Sequence, residues 1–563
     1  MKADPTSPER LTIRLLRHAT RVMPHSRLAW ADAMRSEFEH VKDRPDALAW
    51  LVGCVFASYR SRLADLWTRY AHQSIRRLAA SGVVVIVVGY VLENRACGQT
   101  HPPAFIDMAC ELPHVTPDIR PRLRCGVVGV PRDYAHPEAG QYKLAVVVIR
   151  SERQPAAPEP VIYMSGGPGS PLTVYTYHQA AHPLAAERDI ILVDQRGIGR
   201  SEPKLCPSLA GGFADALVEA MLDLAAEERR RALFAGCRKE AVAQGIDLTD
   251  FGTPVTVEDF DRVRQALGIV RWNLFGVSYG TTVAMTLMAW HPETVRSAVL
   301  DSINPPDPIL PPWSANVADA VKAFLAFCQA DASCNAVYPD LAGTYRDTVD
   351  RLRKAPVPFP LPSGLHSPSG HGPLTAGLFE LVVGRMVYYP QFYPRLPRLI
   401  AQVHDGNTSD FAAATATLLA EARDPDTGTS FPANAAVDCR DRPRFHELLG
   451  PLAGDLDRTS SLYDVCNDWV QLGPPPLVPI GTTIPTLMIA GQFDPNARPA
   501  ASRGVAELIG SHVQWIEVAE AGHSVRSTNP CAAGIVAAFI EHPTQPVEAS
   551  CATRPTPIRF LLP

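Results

Sequence analysis

The sequence predicts an α/β fold in which a mostly parallel sheet is covered by helices on both faces. From Cys125 onward, short β-branched runs alternate with helical stretches, as in strands joined by crossover helices. A glycine-flanked serine lies where one such run meets a helical stretch, which is typical of a sharp strand-to-helix turn. The alternation stops between Pro305 and about Pro479, so we expect a separate unit inserted into the sheet.

The strands of this sheet are predicted from the β-branched runs. They are Lys143–Val148, Val161–Met164, Ile190–Val193, Trp272–Phe275, Ser297–Leu300, Thr486–Ile489 and Val513–Val518. The inserted unit is rich in Pro and Ala and contains helical segments such as Val317–Phe327 and Phe411–Ala422. We therefore expect a mainly helical cap over the sheet.

The length of 563 residues exceeds what one hydrophobic core usually organises, so several regions are expected. They are a helical, cytoplasmic prefix (1–75), a membrane anchor or signal segment (76–97), the first part of the core (98–304), the cap (305–480) and the C-terminal part of the core (481–563). A formal net charge of -5 leaves no positive excess to neutralise a phosphate backbone. Nucleic acid is therefore not expected as a partner.

An apolar run without charges, residues 78–92, follows Arg76 and Arg77. It is shorter than the roughly 20 residues of a spanning helix, and a buried strand or core helix is the alternative. Arginines that precede the run favour an anchor with its N-terminus inside, or an uncleaved signal. We predict a single-pass protein of the cell membrane with its larger part outside the cytoplasm; a secreted form after signal cleavage is the other option.

Cysteine usage also favours export. Of the 12 cysteines, only Cys54 precedes the apolar run, and no spacing typical of a zinc site occurs. Neighbours in sequence suggest the pairs Cys110 with Cys125, Cys206 with Cys237, Cys328 with Cys334, Cys439 with Cys466, and Cys531 with Cys551. The sequence alone leaves the connectivity open.

The main chemical signal is the GxSxG element Gly276–Gly280, centred on Ser278. It follows the predicted strand Trp272–Phe275 and precedes a helical run, Thr281–Trp290. At such a turn the serine is strained, and flanking glycines prevent collisions with the neighbouring backbone. A chance match is the alternative, but the strand before and the helix after favour Ser278 as a nucleophile.

A serine hydroxyl needs a base, and the base needs an acid that orients it. Asp494 follows the predicted strand Thr486–Ile489, and His523 follows the strand that ends at Val518. We predict Asp494 as the acid and His523 as the base. Asp301, after the strand Ser297–Leu300, is the rival acid, and an Asp-Pro turn is the structural alternative for Asp494.

The oxyanion of an attacked carbonyl needs preorganised N–H donors. One is expected to be the backbone N–H of Tyr279, directly after the nucleophile. The other is expected from the glycine-rich loop Ser165–Gly169, with Gly167 as first choice and Gly166 next. A flexible turn is the structural alternative for this loop.

These elements together resemble the proline iminopeptidase and tripeptidyl aminopeptidase branch of the α/β-hydrolase serine peptidases. The matching segments are CGVVGVPRDY (125–134), SGGPGS (165–170), VDQRGIGRSEP (193–203), LFGVSYGTTVA (274–284), HPETVRSAVLDS (291–302), AGQFDPNA (490–497) and AGHS (521–524). Residues 440–560, with Cys531 and Cys551, are similar to the C-terminal region of tripeptidyl aminopeptidases. The resemblance implies an α/β-hydrolase fold, the roles given above to Ser278, Asp494 and His523, and release of N-terminal residues or short peptides.

An aminopeptidase must bind a cationic substrate terminus, which requires a carboxylate. The sequence offers Glu380, Asp438 and Asp441, for which surface charge is the alternative. The same triad would also serve a carboxylesterase or lipase, and a catalytically silent binding protein of the cell envelope is a further alternative. No metal or cofactor is expected, and the partner is a peptide or a small ester.

Overall fold

The computed structural model describes residues 103–561, except 210–211, 220–223, 306–312, 366, 368, 425–427, 442–465, 467–468, 470–472, 474–475 and 555–557. The predicted helical prefix and the apolar run 78–92 lie outside the described residues. The strands are β1 (Phe105–Met108), β2 (Leu123–Pro131), β3 (Gln141–Ile149), β4 (Val161–Met164), β5 (Ile190–Val193), β6 (Trp272–Val277), β7 (Val295–Asp301), β8 (Val357–Pro360), β9 (His371–Leu374), β10 (Thr486–Gly491) and β11 (Val513–Val518).

The α-helices of the described residues alternate with these strands before and after the cap. They are α1 (Thr176–Ala180), α2 (Leu184–Glu187), α3 (Gly212–Glu219), α4 (Leu224–Ala243), α5 (Thr253–Ala266), α6 (Tyr279–Trp290), α7 (Trp313–Ala330), α8 (Ala332–Val337), α9 (Leu341–Lys354), α10 (Ala376–Tyr388), α11 (Leu396–His404), α12 (Ser409–Arg423), α13 (Phe431–Asp441), α14 (Pro499–Ile509), α15 (Val525–Thr528) and α16 (Pro530–Glu541). Short 3-10 helices occupy Arg120–Arg122, Pro137–Ala139, Thr173–Tyr175, Leu248–Asp250, Pro292–Thr294 and Pro390–Phe392.

The central sheet has the strand order β1-β2-β3-β5-β4-β6-β7-β10-β11. Within this sheet, β5, β4, β6, β7, β10 and β11 pair in parallel, whereas β1, β2 and β3 are antiparallel to their neighbours. The predicted strands are all present, with β4, β5 and β11 at the predicted bounds and the others slightly longer. The fold is therefore α/β with a mostly parallel sheet, and the carboxyl ends of β4, β6, β7 and β10 meet along one edge.

The two faces of the sheet are covered by separate apolar layers, because side chains alternate along each strand. Leu274 of β6 belongs to the layer formed with helices α5, α6 and α14. Phe275, the next residue, belongs to the opposite layer, formed with α16. Helix α13 lies within the predicted cap segment, yet its alanines pack in the layer of Leu274. This helix therefore fixes the cap insertion to the core.

The cap has its own apolar cluster, built from helices α7 to α12 and the hairpin of β8 and β9. Phe493, which follows β10, enters this cluster and packs edge-on against Phe324 with ring centroids 5.6 Å apart. The predicted helical segments fall inside α7 and α12. A side chain from the core thus anchors the cap next to the end of β10.

All five cysteine pairs suggested by sequence proximity form disulfides. They are Cys110–Cys125, Cys206–Cys237, Cys328–Cys334, Cys439–Cys466 and Cys531–Cys551. Disulfides persist in oxidising compartments, in agreement with the cysteine usage of the sequence.

The prediction of a single-pass membrane protein is corrected. Within residues 103–561, no described helix combines the length and the apolar character needed to cross a bilayer. The run 78–92, on which the prediction rested, lies outside the described residues. Membrane localisation is therefore withdrawn.

Candidate active site

Ser278 lies between β6 and α6 with φ 55° and ψ -125°, a strained conformation for a residue with a side chain. The flanking glycines are required by close backbone contacts. A Cβ at Gly276 would lie 2.4 Å from the carbonyl oxygen of Gly280, and one at Gly280 would lie 2.1 Å from that of Met164. The GxSxG pattern thus reflects real steric limits, and the turn leaves Ser278 half-buried at the sheet edge.

The structure brings together His523 and Asp494. The Nδ1 of His523 lies 2.9 Å and 2.8 Å from the two carboxylate oxygens of Asp494, and both side chains are buried. The buried Nε2 of His523 has no hydrogen-bond partner among the residues that the structure describes. An imidazole held by a carboxylate at Nδ1, with Nε2 available, has the orientation that a general base needs.

The pKa of Asp494 lies below its ordinary value of 3.8 although the carboxyl group is fully buried. Burial acts to raise this pKa. The charge and hydrogen bond of His523 lower it, and so do the backbone N–H groups of Ala497 and Asn496, which donate to Oδ1 at 2.9 Å and 2.8 Å. The carboxylate therefore stays ionised beside the imidazole.

Asp301, the rival acid, makes different contacts. Its carboxylate oxygens accept the backbone N–H groups of Val525 and Arg526, each at 2.9 Å, and the Ser302 hydroxyl at 3.1 Å. Its backbone carbonyl accepts the N–H of Ser278 at 2.9 Å. Asp301 therefore supports the backbone around Ser278 and the segment after His523, whereas the imidazole contacts Asp494.

The glycine-rich loop approaches the serine closely. A Cβ at Gly166 would lie 2.7 Å from the Cβ of Ser278, and Gly167 has φ +110°, which favours glycine. Tyr279 begins helix α6, so its N–H has no carbonyl one turn earlier in the helix to bind. Tyr279 follows Ser278 directly, and Gly166 and Gly167 line the same cavity as Ser278, so their role as donors stays a prediction for groups that lie next to the serine.

Helix α13 and the segment before it hold this loop from the cap side. The Nδ2 of Asn434 donates to the carbonyl of Pro168 at 2.9 Å, and the N–H of Ser430 donates to that of Gly169 at 2.9 Å. On the core side, Asp194 accepts the N–H groups of Leu172 and Thr173. The loop is thus preorganised by contacts that the sequence did not reveal.

Ser278 and His523 line one cavity of about 580 Å³, which is a typical size for a ligand site. Its wall includes the glycine-rich loop, Tyr388 from the end of α10, and the side chains of His182 and Arg526. The Tyr388 ring stacks on the imidazole with centroids 4.4 Å apart, and its carbonyl accepts the N–H of His523 at 3.1 Å. The cap therefore contributes directly to holding the base.

The three carboxylates predicted to bind a substrate amine do not line this cavity. Asp441 is buried and accepts the N–H and hydroxyl of Thr253. Glu380, on helix α10, lies 4.0 Å from a side-chain nitrogen of Arg353. Asp438 lies on α13. The structure therefore does not bring these residues to Ser278.

Two residues of the cavity wall, Arg526 and His182, were missed by sequence reasoning. Tyr388 belongs to an aromatic run, 386–393, for which the sequence allows either a pocket lining or cap core, and its other members mostly pack in the cap cluster. Arg526 follows His523 by three positions, and His182 lies in the connection after the glycine-rich loop. Their proximity to Ser278 arises from tertiary packing. In the described ranges, no group of three or more His, Cys, Asp or Glu side chains is arranged to hold a metal ion.

Comparison with known proteins gives one family. The model of the alpha/beta hydrolase fold family matches residues 159–530. Tripeptidyl aminopeptidase of Streptomyces coelicolor is 35% identical over 196 residues, which are 32% of this chain and 35% of that protein. Proline iminopeptidase of Xylella fastidiosa is 29% identical over 147 residues, 26% of this chain and 32% of that protein. The chain thus spans about a third of the length of these curated relatives.

Among solved structures, the chain is similar to the proline iminopeptidase of Mycobacterium smegmatis. It has a TM-score of 0.34 and 17% sequence identity, and the match covers 74% of this chain and 98% of that chain.

Proposed function

This chain belongs to the alpha/beta hydrolase family, and on that premise we propose that it is a serine exopeptidase that releases N-terminal residues or short peptides. The observation that carries the proposal is the state of the His523 imidazole. Its Nδ1 is bound by Asp494, its buried Nε2 has no partner, and it lines the same cavity as Ser278. That arrangement provides a base for the serine hydroxyl.

The steps follow from these positions. The Ser278 Oγ attacks the substrate carbonyl while Nε2 of His523 takes its proton, and Asp494 stabilises the imidazolium that forms. The N–H of Tyr279 and a glycine N–H of the loop stabilise the oxyanion. His523 then gives its proton to the leaving amine, which departs from the acyl-enzyme. A water molecule, deprotonated by His523, releases the acyl group and restores Ser278.

Support for an exopeptidase comes from the relatives. Two of them are named tripeptidyl aminopeptidase and proline iminopeptidase, and Tyr388 of the cap stacks on the imidazole of His523, as expected for a cap that limits the size of substrates. Relatives named for peptide hydrolysis favour peptides over esters here.

A carboxylesterase is the second candidate function, and one observation favours it. No Asp or Glu side chain lines the described cavity around Ser278, so a cationic substrate terminus finds no carboxylate there. A neutral or acidic acyl group would meet no such deficit. The triad itself serves amides and esters alike.

The test compares fluorogenic amides of Ala-Ala-Ala and Pro with a free amino group against their N-acetylated counterparts, using the full-length chain. An exopeptidase is expected to cleave the free-amino forms and not the blocked ones. Equal cleavage of both forms, or turnover of esters alone, would replace the exopeptidase by the esterase.

Ser278→Ala is the matched control for this test. It is expected to abolish turnover and covalent labelling by a fluorophosphonate while urea unfolding stays close to that of the wild type, because the hydroxyl is small and half-buried. Full activity of this variant would refute the assignment of the nucleophile. Absence of labelling in the wild type would favour a catalytically silent binding protein.

A further inference from the structure

One wall of the cavity around Ser278 contains Arg526 and His182, two side chains that the catalytic steps do not use. Both are more than nine-tenths buried, with 7% and 8% of their surfaces exposed. Arg526 lies on helix α15, three positions after His523, and His182 lies between α1 and α2. Buried polar groups normally have hydrogen-bond partners. The contacts of Arg526 and His182 therefore show which of their N–H donors still lack an acceptor.

The guanidinium of Arg526 is held in place mainly by aromatic rings. Its central carbon lies 4.9 Å from the ring centroids of Tyr163 and of Phe275. Within the described part of the chain, the guanidinium makes two long hydrogen bonds, to Gln179 Oε1 at 3.3 Å and to Ser527 Oγ at 3.4 Å, and its buried Nε has no partner there. An arginine carries five N–H donors, so most of its hydrogen-bonding capacity is unused.

The buried charge of Arg526 also lacks an ion pair among the described residues. The nearby carboxylate of Asp301 accepts the backbone N–H groups of Val525 and Arg526, and no described bond joins it to the guanidinium. A buried charge without a paired opposite charge is costly. The charge of Asp301 acts on Arg526 from nearby, but among the described residues no salt bridge joins the two side chains, so the wall has a positive charge in contact with the cavity that no ion pair holds.

His182 adds a second donor. Its Nδ1 accepts the N–H of Leu184 at 3.1 Å, which places the ring proton on Nε2. That Nε2 is buried, and no described residue forms a hydrogen bond with it. Burial, together with the positive charge of Arg526, lowers the pKa of His182 to about 3, so the ring is neutral near pH 7. Its Nε2–H is then a neutral donor beside a cation, and its ring centroid lies 6.4 Å from that of Phe275.

We propose that Arg526 and His182 bind a carboxylate group of the substrate next to Ser278. The planar fork of a guanidinium matches the two oxygens of a carboxylate, and no Asp or Glu among the described residues that line the cavity competes for Arg526. The proposal rests on the proposed hydrolysis at Ser278 and names the substrate class, an acidic short peptide. The carboxylate comes either from a side chain of the acyl part or from the free C-terminus of the leaving part.

Two matched substrate pairs distinguish these sources in the full-length wild-type enzyme. The first pair is Ala-Ala-Glu and Ala-Ala-Gln as coumarinyl amides, and the second is Ala-Ala-Ala-Ala with a free or an amidated C-terminus. We expect kcat/KM to favour the acid by at least about tenfold in one pair, from hydrogen bonds to a charged group. The pair that shows the preference identifies the source. Equal rates within both pairs would overturn the proposal.

Variants assign the preference to Arg526. Arg526→Gln is expected to lose the ratio between acid and amide, and Arg526→Lys is expected to retain part of it, because the charge remains while the planar fork is lost. Arg503→Gln is the matched control. Arg503 lies on α14 and is exposed, and the central carbon of its guanidinium lies 4.1 Å from the ring centroid of Trp515. This variant removes a similar stacked arginine and should leave the ratio unchanged. An unchanged ratio in Arg526→Gln would refute the role of Arg526.

Binding to Ser278→Ala distinguishes a failure of the carboxylate site from a failure of the proposed function. Calorimetric titration with the uncleaved acid and amide members of each pair measures recognition without turnover, and we expect the acid to bind at least about tenfold more tightly. If peptides are not cleaved by the wild type, 4-nitrophenyl esters of adipic acid and of its monoamide provide the acid and amide pair for an esterase. Equal affinities and equal ester rates would overturn the carboxylate site, whichever function holds.

Discussion

Asp301 and Asp494 occupy equivalent places at the ends of two neighbouring parallel strands and nevertheless have different partners. Ile489 of β10 pairs in register with Asp301, the last residue of β7, and Asp494 lies in the turn after β10. Both side chains are fully buried. Asp494 binds the imidazole of His523, whereas Asp301 accepts the backbone N–H groups of Val525 and Arg526. A buried aspartate at a strand end is thus either an acid that orients the base or a support for the chain.

The two carboxyl groups also differ in the direction of their pKa. Burial raises the pKa of Asp301, and the backbone N–H of Arg526 and its positive side chain offset this only in part. At Asp494 burial acts in the same direction, but the charge and hydrogen bond of His523 outweigh it, so its pKa is lowered. The comparison indicates that contact with an ionisable partner distinguishes a catalytic carboxylate from a structural one, and substitutions at either position test it.

The largest effect is expected for Asp494→Asn. An amide cannot stabilise the imidazolium and favours the wrong tautomer of His523, so kcat should fall about 10⁴-fold. The measurement is kcat with a neutral aryl ester, compared with Asp301→Asn under the same conditions. If Asp301→Asn lost as much turnover and Asp494→Asn lost little, the two roles would have to be exchanged.

Asp301→Asn is expected to act chiefly on stability. The amide group has a single acceptor oxygen, so the N–H of Val525 or of Arg526 would lose its buried partner and face an NH2 group. The free energy of unfolding should fall by about 1–3 kcal/mol. Urea titration followed by circular dichroism measures this, and unaltered stability would show that water or a shifted backbone replaces the carboxylate.

The sequence predicted the parts of the site that have a local signature. Ser278 was predicted as the nucleophile because the strained turn restricts its flanking positions to glycine, and the strands that precede Asp494 and His523 were recognised by their β-branched runs. The choice of Asp494 over Asp301 agrees with the imidazole contact in the structure. Local sequence could support this choice but not settle it, because both aspartates follow buried strands.

Other features of the site depend on distant segments. Tyr388 reaches His523 from the cap, and Arg526 is stacked between rings from β4 and β6. The strands β1 and β2 were not among the predicted strands, because β2 combines glycines with valines and β1 is short and largely exposed. The contacts that build the cavity wall are set by packing between elements, and no periodicity along the chain encodes them.

A smaller effect is expected at Ser302, whose hydroxyl links Asp301 to the segment that follows His523. Its hydroxyl accepts the N–H of Ser524 at 2.8 Å and donates to Asp301, and its φ is 56°. Ser302→Ala should cost about 1 kcal/mol of unfolding free energy by removing these bonds. Ser302→Gly loses the same hydroxyl but relieves the backbone strain, so it should be more stable than Ser302→Ala by up to about 1 kcal/mol. Equal stabilities in urea would show that the strain contributes nothing.

The smallest effects concern the pH dependence of stability, where the two aspartates should act in opposite directions. The native pKa of Asp494 is lowered, so its contribution is fully present above its ordinary value of 3.8 and is lost as pH falls through the native pKa. The native pKa of Asp301 is raised, so its contribution is fully present below 3.8 and is lost as pH rises through the native pKa. Urea titrations between about pH 3 and 6 measure the difference in unfolding free energy between the wild type and each variant. For Asp494→Asn this difference should shrink toward low pH. For Asp301→Asn it should grow toward low pH. Parallel curves for the two variants would mean that both carboxyl groups have the same environment, and the distinction drawn from their partners would then fail.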